Sequence, residues 1–75
     1  MLNLIKKQYL VKLGENVRTL RRARKLTQER LAERSERSRD LISLIERGEC
    51  APSIETVVKI AKALGEDAQN LLEGI

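Results

Sequence analysis

Thr27-Gln28-Glu29-Arg30-Leu31-Ala32-Glu33-Arg34-Ser35-Glu36-Arg37-Ser38-Arg39-Asp40-Leu41-Ile42-Ser43-Leu44-Ile45-Glu46-Arg47-Gly48 decides how the rest of the chain is read. Thr27 and Ser38 each place a hydroxyl where it accepts a hydrogen bond from the unpaired N–H groups that open a helix. Leu31 and Ala32 follow the first cap, and Ile42 and Ile45 the second, at helical spacing. The stretch therefore reads as two short helices, one over Gln28 to Arg34 and one over Arg39 to Arg47. Gly48 takes the left-handed backbone that closes the second. A helix-turn-helix has this arrangement, its second helix entering the DNA major groove. An ordinary helical hairpin has it too, and spacing alone does not separate the two.

Working upstream, Leu13, Val17 and Leu20 recur at i, i+4 and i+7 and define one apolar helix stripe. Ile5 and Tyr9 or Leu10 continue it toward the N-terminus. Gly14 weakens that helix by about 1 kcal/mol relative to alanine. Downstream, Glu49-Cys50-Ala51-Pro52 is a connecting loop. Ser53 caps a fourth helix with Ile54, Val57, Ala61 and Leu64 on one face, and Gly65 ends it. Asp67 caps a short last helix that holds Leu71 and Leu72.

No segment alternates as a half-buried strand does, so the fold class is all-α, a five-helix arrangement in one domain over 1–75. We divide it into an N-terminal helical extension (1–12), the paired short helices (27–48) and C-terminal helices (53–75). Val58, Leu71, Leu72 and Ile75 exceed what so small a core must enclose. Some of them are expected to form a two-fold dimer interface near the C-terminus; the alternative is that they complete the monomer core.

The net charge of +4 is unevenly placed. Residues 1–48 carry 13 Lys/Arg against 6 Asp/Glu, whereas residues 49–75 carry 2 against 5. A basic front and an acidic back suit a chain that turns one face to a polyanion. Tyr9 is the only aromatic residue, so the stacking platforms of single-strand binders are missing and duplex DNA fits better. One cysteine, Cys50, and no histidine rule out an internal disulfide and leave no zinc cluster, so neither metal nor cofactor is expected. No apolar run spans a bilayer and Met1 to Lys7 lacks the order of a secretory signal, which makes a cytoplasmic protein without membrane partner the expectation. There is no glycine-rich phosphate loop, no nucleophile with a base nearby and no room for a deep pocket. Catalysis, a small-molecule ligand and a second, ligand-sensing domain are accordingly not expected.

Four separated segments then resemble one family. Thr27 through Ala32, Ser38 through Gly48, Pro52-Ser53-Ile54-Glu55-Thr56 and Lys59-Ile60-Ala61-Lys62-Ala63-Leu64-Gly65 are similar, in order, to the phage repressor/Cro-type (Xre) helix-turn-helix family. The resemblance implies a sequence-specific transcriptional regulator that binds double-stranded DNA as a homodimer on a palindromic operator. Small members include restriction–modification controller proteins, Cro-like phage repressors and antitoxins, which the sequence does not separate. A partner-protein interaction module on the same scaffold is the competing class.

The resemblance also assigns residues. Gln28 and nearby backbone N–H groups meet a phosphate where the helix dipole favours an anion. Ser38, Arg39, Asp40, Ser43 and Leu44 form the exposed side of the reading helix. Arg39 offers a bidentate fork to guanine O6 and N7, and Leu44 reaches a thymine methyl. Asp40 accepts from cytosine N4, orients Arg39 or favours the helix N-terminus. Leu41 touches DNA or covers the core. Arg37 and Arg47 flank the helix as phosphate contacts, which fix register without reading sequence. Arg18, Arg22, Arg24 and Lys25 add to the field. Arg21 and Glu46 match a structural ion pair that fixes the angle between the first and third helices. The chain departs from the family at Glu36, which stands where glycine is usual and whose left-handed backbone would cost about 1–2 kcal/mol. Arg37 and Glu66 stand where apolar residues are common.

Overall fold

Short polar signals set the starts of the middle three helices, and the apolar spacing between them decides which face turns inward. The computed structural model describes residues 7–75; Ile5, with residues 1–6 of the expected extension, lies outside the described residues. Those described form α1 (Gln8–Ala23), α2 (Gln28–Ser35), α3 (Arg39–Glu46), α4 (Ile54–Leu64) and α5 (Ala68–Leu71), with no strand among them. No described helix is long and apolar enough to cross a membrane.

Hydroxyl caps open the middle three helices. Thr27 Oγ1 accepts from the Arg30 N–H at 3.0 Å, Ser38 Oγ from Leu41 at 3.1 Å, and Ser53 Oγ from Thr56 at 3.1 Å. Asp67 stands at the start of α5 with extended backbone, but its side chain makes no cap bond, contrary to the sequence expectation. Asn16 does the holding instead: its Nδ2 donates to the carbonyls of Leu71 (2.8 Å) and Glu73 (2.9 Å), tying the chain beyond α5 to α1. Glu66, where an apolar residue was expected, accepts from Asn70 Nδ2 at 2.8 Å and from Arg24, so the end of α1 is linked to α5 by charge rather than by packing.

The first four helices close alike. The N–H groups of Leu26, Arg37, Glu49 and Glu66 each donate to the carbonyl five residues back, on Arg21, Ala32, Leu44 and Ala61. That closure needs a left-handed residue just before the donor. Gly48 and Gly65 supply it without strain, while Lys25 and Glu36 adopt φ of 59° despite their side chains. The turn between α2 and α3 therefore keeps its geometry without glycine.

Leu13 and Val17 of α1, Leu31 and Ala32 of α2, Ile42 and Ile45 of α3, Val57, Ile60, Ala61 and Leu64 of α4 and Leu71 of α5 make the core. Two sequence expectations need correcting. Ile54 is 78% exposed and Ile60 takes the inward place, because the buried face of α4 centres on Thr56, Val57, Ile60 and Leu64 and Ile54 falls on its flank. Leu71 is fully buried, so it completes the monomer core and offers nothing to a second copy. Leu20 and Leu41 pack at the edge of the core. Tyr9 is half exposed beneath the Lys7 ammonium, and Leu10 is the residue that continues the stripe.

Gly14 has a different reason for being in α1 than helix propensity suggests. A Cβ there would lie 2.4 Å from the Ile45 carbonyl oxygen and 2.7 Å from that of Glu46. The backbones of α1 and α3 meet at this point, and the colliding atoms cannot rotate away. Alanine at Gly14, which propensity alone would make stabilising by about 1 kcal/mol, should instead destabilise by about 1–3 kcal/mol through overpacking. Urea unfolding followed by circular dichroism reads the sign directly.

Candidate DNA-recognition surface

The outer side of α3 is aimed by a charged cluster buried beneath it. Arg21 leaves α1 and grips Glu46, the last residue of α3, through two bonds: Nε to Oε2 at 2.6 Å and Nη2 to Oε1 at 3.0 Å. Its Nη1 donates to the Leu26 carbonyl at 2.8 Å. Gln28 Nε2 adds a bond to Glu46 Oε1 at 3.0 Å, and Arg18 Nε stands 3.6 Å from the same oxygen. The Glu46 side chain is wholly buried, yet four donors surround it. Burial works to raise its pKa; the Arg21 hydrogen bond, the Gln28 hydrogen bond and the charges of Arg21 and Arg18 outweigh that and hold it below its ordinary value. The arrangement joins α1, the start of α2 and the end of α3 at one carboxylate.

A second set of bonds fixes the turn from the other side. Arg37 Nε donates to Thr56 Oγ1 at 2.9 Å, its Nη1 to the Glu36 carbonyl at 3.0 Å, and its Nη2 lies 4.0 Å from Glu55. Lys59 Nζ donates to Glu36 Oε1 at 2.6 Å, a bond that draws the Glu36 pKa below its usual value. Both residues that depart from the family in the turn thus tie it to α4. Arg37, expected at a phosphate, is half-buried and turned to α4, which takes it off the reading face.

Ser38, Arg39, Asp40 and Arg47 are exposed along α3, with Ser43 and Leu44 partly so. They share one side because Ile42, Ile45 and Glu46 take the other. The Ser38 hydroxyl is engaged as the cap, leaving its own hydrogen to donate. Arg47 Nε donates to the Ser43 carbonyl at 3.3 Å, and its Nη2 lies 3.8 Å from Glu49. Arg39 Nε lies 3.6 Å from Glu29 Oε2 of α2, so the carboxylate beside Arg39 is Glu29 rather than Asp40. Leu41 packs on the core edge, the second of its two expected places. Gln28 sits at the opening of α2, its amide half-buried and anchored on Glu46.

Glu29, Lys59 and Thr56 escaped the sequence reading. Their partners, Arg39 of α3 and Glu36 and Arg37 of the turn before it, lie at 10, 23 and 19 residues' remove, and no local spacing signals such pairs. All three lie in segments that matched the family, but the match marked the segments and not these partners.

A helix-turn-helix domain family model matches residues 12–73, and the chain belongs to that family, whose class is the DNA-binding transcriptional regulator. Control protein C.SmaI of Serratia marcescens is 42% identical over 60 residues, covering 80% of this chain and 71% of that one. The immunity repressor protein of Bacillus phage phi105 is 42% identical over 53 residues, 71% of this chain but only 37% of the repressor. Among solved structures, the restriction-modification controller protein C.AhdI from Aeromonas hydrophila superposes with a TM-score of 0.85 at 37% identity, covering 87% of this chain and 98% of that one.

The buried pair makes stability depend on pH in a definite direction. Because folding lowers the Glu46 pKa, its contribution is complete above the unfolded-state value near 4.5 and drains away as pH falls through the folded value. Single variants Arg21→Met and Glu46→Leu should each lose about 3–5 kcal/mol at neutral pH by stranding the other charge. The double variant should recover at least about 2 kcal/mol of the summed losses, the signature of direct coupling. Denaturant titrations between pH 3 and 7 should show a shallower acid decline in the double variant than in the parent.

Proposed function

We propose that the chain regulates transcription by binding a palindromic operator as a homodimer, with α3 of each protomer in the major groove. The observation that carries this reading is the exposed outer side of α3, presented at a fixed angle by the Arg21–Glu46–Gln28 cluster. A helix with its side chains is about 10–12 Å across, which fits the width of the major groove. Ser38, Arg39, Asp40, Ser43 and Leu44 face the bases, Arg39 pairing with a guanine. Gln28 and Arg47 flank them as phosphate contacts, with the N-terminus of α2 beside Gln28. Residues 1–48, which hold the paired helices, carry the basic excess, and it supplies the field that draws the protein to the duplex. The likeness to two controller proteins supports an autoregulator of a restriction–modification operon.

The C-terminal helices supply the two-fold contact. Leu72 and Ile75 are about half exposed, and Val58 is half-buried. Ile54, on the flank of α4 one turn from Val58, joins them in place of Leu71. Two reading helices related by a two-fold axis address half-sites about 10–11 base pairs apart.

Selection of duplexes from a random library tests recognition and symmetry together. The recovered site should be palindromic with that spacing, and its affinity should fall steeply with salt through counterion release. Arg39→Ala should erase preference for one guanine per half-site, worth about 1–3 kcal/mol of discrimination. Paired Ile54→Glu and Leu72→Glu substitutions should give monomers in sedimentation, with secondary structure intact. Salt-independent binding, or a selected site without symmetry, contradicts the proposal.

A further inference from the structure

Arg39 opens α3 and Glu29 lies in the first turn of α2, with Glu29 Oε2 3.6 Å from Arg39 Nε. The Arg39 side chain is 56% exposed and that of Glu29 69%. So open a pair contributes little to folding. Its geometry has more to say. A carboxylate beside Nε engages the guanidinium near its stem, and no other partner holds Arg39 among the described residues. Nη1 and Nη2 carry no hydrogen bond among the described residues, and theirs is the edge whose parallel N–H groups match guanine O6 and N7.

We infer, resting on the DNA-binding reading above, that Glu29 gives Arg39 its base selectivity, holding the guanidinium end-on toward a guanine and disfavouring its escape to a phosphate. An arginine at the edge of a reading helix has two outlets. One is the neutral acceptor edge of a base; the other is the backbone, which carries no sequence information. A carboxylate next to it acts unequally on the two. It repels a phosphate brought close to Arg39, while O6 and N7 of guanine bear no net charge. It also confines a long, flexible side chain before DNA arrives. Glu29 therefore lowers affinity for DNA in general and raises the contrast between right and wrong sequences, which is how specificity is built by a repulsive element. A carboxylate in the first turn of α2 also suits that helix's dipole, but that role predicts no change in contrast.

Glu29→Ala, Glu29→Gln, Arg39→Ala and the Glu29→Ala/Arg39→Ala double variant, each made in the whole 75-residue chain, distinguish these. Each is titrated against the selected site, against the same site with adenine at the guanine whose preference Arg39→Ala loses, and against an unrelated duplex. Glu29→Ala should reduce guanine-over-adenine contrast about fivefold to tenfold and strengthen binding to the unrelated duplex about twofold to threefold. Its thermal midpoint should fall by no more than a few degrees, the loss of the dipole contact. Glu29→Gln, which keeps the side chain's size but not its charge, should lose most of the contrast as Glu29→Ala does and bind the unrelated duplex as tightly. In the Arg39→Ala background, removing Glu29 should leave contrast unchanged. Undiminished contrast in Glu29→Ala, or an equal loss on all three duplexes, overturns the inference while the DNA-binding reading stands. A parent protein that selects no sequence overturns both.

Discussion

A carboxylate sealed inside a chain this small stays charged only if the surrounding structure supplies its partners, and Glu46 is the point on which the molecule is organised. Arg21 answers it from α1 with two bonds, Gln28 from α2 with a third. Because Glu46 ends α3, those partners fix both where that helix stops and how it is rotated. Removing one partner leaves the other stranded in a poor solvent for charge. The cluster therefore resists displacement more firmly than the apolar packing around it, which can slide or repack at modest cost.

The rest of the α3 frame follows from what that anchor demands. If Glu46 is to meet Arg21, the backbones of α1 and α3 must come close, and Gly14 is the residue that permits it. On the opposite flank, Arg37 and Glu36 reach α4 through Thr56 and Lys59. A helix of eight residues, too short to persist alone in water, is thus held at its end by one polar cluster and at its beginning by another. Its outer side stays exposed.

Much of this was legible beforehand. Thr27, Ser38 and Ser53 announced three helix starts because a cap is a local event, settled within three residues. The pairing of Arg21 with Glu46 was legible only through family resemblance, since a 25-residue separation leaves no periodic trace. Ile54 misled because its spacing fits the edge of an apolar stripe on α4; where the buried face centres, on Thr56, Val57, Ile60 and Leu64, is a tertiary fact. Leu71 misled for the complementary reason, a surplus of apolar residues saying nothing about which of them the last helix turns inward. Glu36 looked like a threat to the turn because glycine's absence is visible in sequence, whereas Lys59 beside it is not.

Lys25 and Glu36 hold φ values that L-residues rarely adopt. The chain thus carries tension at two hinge-like corners where one change of codon apiece can release it. Glycine in place of Lys25 would release that tension, whereas glycine in place of Glu36 would also give up the bond to Lys59. The corner before α2 is therefore where the scaffold keeps latent stability, a reserve that would let it tolerate destabilising changes elsewhere in the chain.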